Sequence, residues 1–580
     1  MRLTDTSDLW WKTAVVYCAD VETFHDANGD GIGDIEGMGR RLDHLVELGV
    51  TCLWLMPFYP TPERDDGYDI VDFYGVDRRL GSLGDVVELV RTAKDRGLRI
   101  IADLVVNHTS NRHPWFLTAR EDPKSPYHQY YVWREDKPPD TSEMVVFPGE
   151  QDAVWTKDRK AGKWYLHHFY RHQPDLNLSN PAVRTEIAKI AGFWLELGFD
   201  GFRVDGVPQL LSLGPSNELK NDDVAHPHDV LRDLRSFIGR RRGDAVLLGE
   251  VNMPYDRQRT LFGESGAAEL DLIFDFVAMQ YLYLSLARGD AGALATALKN
   301  RPAIRREAQW AVFVRNHDEL TLDQLTEPER GEVFAAFGPD PEYQVYGRGL
   351  RRRLPPMLGG DQWWMRMVYS LVFSLPGTPT LFYGEEIGMG ENLAAPGRHA
   401  VRTPMQWSPD PGAGFSTANP EAFPAPLVEG EFGPEHVNVE SCRTDPGSLF
   451  NFLRHLIDVY RRHPELGWGE LEVLEQPLPC VLAHRAATGE ASVVAVHNFS
   501  SDALSTAVKL PGVQPGHELH DLLAARWRDE PGAREGPDRP LVVDDEGRVE
   551  VHLAARGFRW FGAPQPPGRR GSPAEPPDLG

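Results

Sequence analysis

Eight short apolar runs of strand length, separated by stretches of helical period, constrain this chain more than any other feature. The runs cover residues 14–19, 52–58, 99–106, 199–204, 245–250, 272–277, 310–314 and 380–383. Near-continuous apolar character marks strands buried on both faces, as in a parallel sheet covered by helices. Helix signals lie between them. Residues 34–48 close on Gly49, 83–96 on Gly97, and 180–197 open with Asn180-Pro181 and close on Gly198. Asn at an N-cap satisfies a free N–H, Pro at the first position removes one, and Gly accepts the left-handed stop. Eight such units predict an α/β fold of the closed (β/α)8 TIM-barrel type.

Two insertions interrupt the alternation. Residues 108–178, between the third and fourth runs, are rich in Trp, Tyr, His and Pro and too long for an ordinary connection, which predicts an inserted domain. Residues 319–360 form a second candidate lid, carrying the basic run RGLRRRLPP. The barrel is thus expected in two parts, 1–107 and 179–470. Beyond it, alternating β-rich segments predict an antiparallel β domain over 471–563, and the Pro/Gly-rich tail 564–580 reads as disordered.

Charge narrows the partners. In 580 residues, 61 Lys and Arg face 86 Asp and Glu, a formal net charge of −25. Such a surface repels phosphate backbones and anionic lipid, so nucleic acid and membranes are poor partners and neutral small molecules better ones. The longest apolar stretch, 368–383, is broken by Pro376, Gly377 and Pro379 and is too short for a bilayer. The four cysteines form no C-x-x-C pair, and the first residues lack the pattern of a secretory signal, which predicts a reducing, cytoplasmic home. A homo-oligomer stays open.

In a barrel of this kind the C-terminal strand ends share one mouth. The third run ends in Asp103, Asn107 and His108; the fourth gives Arg203 and Asp205; the fifth Glu250 and Asn252; the seventh His317, Asp318 and Glu319. One carboxylate at a strand end is ordinarily a cap or a structural ion pair. Carboxylates from four strands at one mouth repel each other, and a fold keeps such a group chiefly where it is used. Arg203 and Asp205, two apart, share a strand face, so the guanidinium favours an ionised Asp205, a nucleophile. Glu250 follows Leu-Leu-Gly with no adjoining cation, which favours a protonated general acid. An ionised and a protonated carboxyl ~5–5.5 Å apart equip a retaining glycosidase.

The segments DLVVNH, GFRVD, GEVN and RNHDE, with QPDLN at 173–177, resemble the signature regions of the α-amylase family of retaining α-glucoside enzymes. The resemblance implies Asp205 as nucleophile, Glu250 as acid/base and Asp318 as transition-state stabiliser. It implies that Asp69, Tyr68, His108, Arg203 and His317 line the glucosyl pocket and that Arg402 closes its inner end. Within the family, PFYPTPERDDGYDI, HTSNRHPWF, LPGTPTLFYGEEIGMG and VRTPMQW resemble the trehalose synthases, which interconvert maltose and trehalose; Asn252 and Glu319 match them as well. Gly206, Gln209 and Asp323 depart from their usual Ala, Tyr and Glu; the missing Tyr and the shortened acid fall where the released glucose would be held. An α-glucosidase of short α-glucosides is therefore the alternative. A non-catalytic, transporter-associated relative is disfavoured, because those lose the carboxylates that this chain keeps.

Asp26, Asn28, Asp30 and Asp34 place oxygen donors at alternate positions around glycines. The twelfth position of an EF-hand would be Gly37 instead of Glu, so that loop type is rejected, but a hard cation remains the expectation. The family resemblance implies calcium here, with Ile32 lending its carbonyl, and a second cation site at Asn107 and Asp175. No phosphate loop or Cys/His cluster is present, and no organic cofactor is expected.

Overall fold

The computed structural model describes residues 9–211, 227–264, 266–475, 478–488, 491–523, 527 and 540–562. Eight strands form a closed barrel: β1 (Val16–Ala19), β2 (Cys52–Leu55), β3 (Arg99–Leu104), β4 (Gly201–Val204), β5 (Val246–Gly249), β6 (Leu272–Phe274), β7 (Gln309–Phe313) and β8 (Thr378–Phe382). Each pairs in parallel with its sequence neighbour, and β8 returns to β1, so Val16 lies between Cys52 and Thr380. The α/β barrel read from the sequence is the fold.

The helix signals act where they stand. Asn180 accepts the Ala182 N–H at 2.9 Å, and Gly198 ends helix Pro181–Leu197 at φ 112°. Ser82 and Asp85 form a capping box on helix Leu83–Asp95. Several boundaries differ from expectation: the run 52–58 is a strand only over Cys52–Leu55, the helix 34–48 is interrupted at Arg41, and two further differences have a clear local cause. The run 272–277 splits, because Asp275 accepts the Ala278 N–H at 3.0 Å and starts helix Phe276–Arg288 there. Strand β8 begins earlier, at Thr378, and takes Pro379 into its pairing with Val312. Proline lacks the N–H a strand donates, so a run read from strand-forming residues begins after it.

Within the first insertion, Trp133–Arg134, Trp164–Leu166 and Trp155–Lys157 form a small antiparallel sheet with its own apolar cluster of Val154, Trp155 and Leu166. Within the second, Leu320–Thr321, Gly349–Leu350 and Gln344–Val345 form another. After the barrel, Glu470–Val473, Val481–Thr488, Ala491–Asn498, Phe558–Gly562, Glu518–Asp521 and Leu541–Val542 make an antiparallel sheet in that order. Val481–Thr488 begins with four buried residues and so lacks the alternation of a half-exposed strand. The tail 564–580 lies outside the described residues. Among the described residues no helix is long and apolar enough to cross a membrane, and all four cysteines are free thiols.

Candidate active site

The C-terminal ends of the strands open into a cavity of about 260 Å³ whose walls include Asp205, Glu250 and Asp318. Beneath its wall Arg203, on β4, is 1% exposed. One of its nitrogens, Nη1, lies 2.6 Å from Asp205 Oδ1, and the other, Nη2, lies 2.8 Å from Glu250 Oε2. Asp103, from β3, pairs with the same guanidinium and accepts the Trp54 indole N–H at 2.8 Å. The alternation of strand side chains puts Arg203 and Asp205 on one face, and β5, next to β4, delivers Glu250. Glu250 also accepts the backbone N–H of Gly206 at 3.1 Å. The absence of a cation beside Glu250 in the sequence is thus misleading: the partner arrives from the neighbouring strand.

Electrostatics separates the three carboxyls. Burial raises Glu250 to about 7, against the pull of Arg203 and with the support of Asp205 and Asp318. Burial likewise raises Asp205, to about 6, with Arg203 opposing and Asp103 and Asp318 adding to the rise. Arg203 therefore does not hold Asp205 as low as its position in sequence suggests, because it serves three acids at once. Asp318 moves the other way. Its burial is outweighed by His317, Arg398, Arg402 and Arg203, and it lies well below the carboxylate range. Arg398 Nη1 and Arg402 Nη2 both reach Asp318 Oδ1 at 2.7 Å, while His317 Nε2 stands 3.1 Å from Oδ2 and 2.9 Å from the Tyr68 hydroxyl.

Tyr68, His108, Asn252, His317 and Glu319 all line the cavity. Asn252 Nδ2 donates to Asp323 Oδ1 at 2.7 Å, so the shorter acid still reaches its partner. At Gly206, φ is +50° and an added Cβ would stand 2.8 Å from Phe169 Cζ; the ring of Phe169 fills the space an alanine methyl would need. Three expected wall residues stand outside the lining: Arg203 lies beneath the carboxyls it pairs with, and Asp69 and Arg402 are displaced. Asp69 is fully buried, accepting from Thr61 Oγ1 at 2.8 Å and from the Arg64 N–H at 3.1 Å, and is not part of the wall. Arg402 sits behind Asp318, paired with Asp66, also outside the wall. Their places are taken by Asp65 and Arg398, which pair with each other. Gln173 donates to Asp65 at 2.8 Å. The doublet Asp65-Asp66 before Gly67 was the available signal: the turn there faces the first acid inward, while Asp69, beyond Tyr68, faces out.

The loop expected to hold a cation has an all-oxygen donor set, and no ion pair to Asp26, Asp30 or Asp34 is found among the described residues. Asp26 accepts from the backbone of Asn28, Gly29 and Gly31 and from Ser416 Oγ, and Asp34 from Ala27, Asn28 and Gly37. Asn28 and Asp30, both exposed, each accept one backbone N–H and keep lone pairs free. Uncompensated acid and amide oxygens on one turn suit a hard cation. At the second site, Asp175 takes Asn107 Nδ2 at 3.2 Å, the His168 N–H at 3.1 Å and the His168 ring. Protein donors engage both of its oxygens, as they do those of Asp26 and Asp34, but Asp175 also has the His168 ring as a partner, whereas no acid of the 26–34 loop pairs with a side-chain cation among the described residues.

Over residues 20–330 and 351–469 the sequence matches the α-amylase catalytic-domain family. It is 41% identical over 497 residues to the trehalose synthase/amylase TreS of Mycobacterium tuberculosis, covering 85% of this chain and 82% of that protein. It is also 41% identical over 558 residues to the trehalose synthase of Thermus thermophilus, covering 95% of this chain and 55% of that one. Among solved structures, it resembles a variant of the trehalulose synthase MutB with a TM-score of 0.75 at 25% identity, covering 96% of this chain and all of that one. An α-amylase from H. orenii gives 0.74 at 26% identity, over 95% of this chain and all of that one.

Proposed function

Because the chain belongs to the α-amylase family, we propose that it is a retaining α-glucosyl enzyme of the trehalose synthase type, converting maltose to trehalose and back. The observation that carries this reading is one guanidinium, Arg203, shared by Asp205 and Glu250, two acids of a cavity wall that also presents Asp318. Asp205 attacks the anomeric carbon as Glu250 gives its proton to the departing oxygen. The C1–oxygen bond to the leaving glucose breaks as the bond to Asp205 forms. Asp318, kept ionised, faces the positive charge that develops at C1. Glu250, now ionised, then takes a proton from the attacking hydroxyl. If that hydroxyl is O1 of the retained, turned glucose, the product is trehalose; if it belongs to water, the product is glucose.

Tyr68, His108, His317, Asp65 and Arg398 form the walls for the transferred ring in this scheme. The insertions at 108–178 and 319–360 serve as lids, since both contribute to the cavity wall. The hydrolase reading keeps one support, Gln209 in the wall where the trehalose synthase pattern has Tyr. Against it, Asn252 and Asp323 remain joined. The loop 26–34 is assigned to calcium, held by Asp26, Asn28, Asp30, Asp34 and the Ile32 carbonyl; it would pin a barrel loop and take no part in bond cleavage. Four free thiols favour a reducing compartment, the cytoplasm.

Incubation of the purified chain with maltose, and separately with trehalose, tests the proposal by chromatography of the products. Trehalose from maltose and maltose from trehalose are expected. Glucose alone from both would make the enzyme a hydrolase.

A further inference from the structure

Retaining a free glucose while C1 is bound to Asp205 requires the cavity to exclude water, and the two insertions meet beside its wall. Phe147, from the first insertion, and Tyr346, at the hairpin tip of the second, have ring centroids 5.1 Å apart at 46°. Phe147 stacks on Tyr170 at 4.6 Å and 20°, and the Arg398 guanidinium lies 4.8 Å from the Phe147 centroid. The Tyr346 hydroxyl faces that of Tyr170 and stands 3.7 Å from where a Cβ on Gly397 would be, next to Arg398. Phe147 and Arg398 belong to the cavity wall, whereas Tyr346 stands behind them. Its backbone is at φ 56°, a conformation uncommon for a bulky residue, so the hairpin holds the ring where the seam is.

We propose that Tyr346 is a positioning residue that clamps Phe147 and Arg398 across the two insertions and so sets the partition of the glucosyl-enzyme between retained glucose and water. The inference rests on the trehalose synthase reading and extends it to a residue outside the pocket. Removing the ring opens a path beside Phe147, so more intermediates are intercepted by water, whose oxygen joins C1 as the bond to Asp205 breaks and Glu250 accepts the proton.

The test measures the glucose-to-trehalose product ratio from maltose for the full chain and its variants. Tyr346→Ala is expected to raise the ratio by about tenfold, the effect of about 1.4 kcal/mol between two competing barriers. Tyr346→Phe, which keeps the ring, is expected to restore a ratio near that of the parent protein. Should Tyr346→Ala fail to fold, Tyr346→Leu replaces it with the same expectation. An unchanged ratio in the ring-deleted variant, beside a parent protein that makes trehalose, overturns this assignment and leaves the proposed function standing. A parent protein that makes glucose only overturns both.

Discussion

Arg203 and Glu250 stand 2.8 Å apart, Nη2 to Oε2, although they lie on different strands and the sequence around Glu250 offers no cation. Because Arg203 Nη1 also holds Asp205 at 2.6 Å, the two acids are coupled through one buried group. Moving a proton on either changes the balance on the other.

The first consequence is a bell-shaped pH profile. Cleavage needs Asp205 ionised and Glu250 protonated. Burial raises the former to about 6 and the latter to about 7, so kcat/KM should fall below the first and above the second, the two limbs belonging to the pair. Replacing Glu250 by Gln should remove the alkaline limb. An alkaline limb that persists in Glu250→Gln would assign it to another group.

Glu250→Gln also separates the two half-reactions. Turnover of maltose should drop by about 10²–10⁴-fold, since no proton reaches the leaving oxygen. α-Glucosyl fluoride, whose leaving group needs no acid, should still load the enzyme. Asp205→Asn should lose both substrates, by about 10⁴-fold or more. Stopped-flow measurement of fluoride release distinguishes the two variants.

Asp65→Ala is expected to raise KM and lower kcat, because it strips Arg398 of one of its two acids and leaves a buried cation with only Asp318. Asp69→Asn, behind the wall, is expected to alter stability more than KM. Steady-state kinetics with thermal melting checks both, and a larger KM effect at Asp69 would restore it to the pocket.

Calcium removal bears on stability and not on the chemical step. Chelation followed by a melting scan should lower the midpoint, and calcium should restore it. Asp30→Ala, which removes an exposed oxygen donor, should abolish the response; a midpoint indifferent to chelator and calcium would count against the cation.

Acid should loosen the barrel from the C-terminal domain. His484 and His497 stack at 5.7 Å and 4°, buried between helix Gln362–Ser374 and the sheet, bonded to the Ser374 carbonyl and Ser370 Oγ. Burial first, then the other ring, lowers His497, and burial lowers His484 to about 4. A group depressed on folding binds its proton better when unfolded, so stability is lost as pH falls from about 6.5 towards about 4, by up to about 3 kcal/mol for His484. The melting temperature should decline over that window, less so in His484→Gln.

Much of this was legible in the chain. Buried strand runs, helix caps and the order of DLVVNH, GFRVD, GEVN and RNHDE lead directly to the barrel and its mouth, because those signals are local. What escaped depends on contacts between distant segments. Glu250 owes its cation to the adjoining strand, and Asp65 owes its place in the wall to a turn and to Arg398, 333 positions later. Asp69 and Arg402 carry the expected charge but face Thr61 and Asp66 instead, a difference of side-chain direction that no spacing rule encodes.

The most direct test of the account is to trap the covalent intermediate with 5-fluoro-α-glucosyl fluoride and map the labelled peptide by mass spectrometry. The label is predicted on Asp205. A label on any other residue, or turnover that never yields a covalent species, would contradict it.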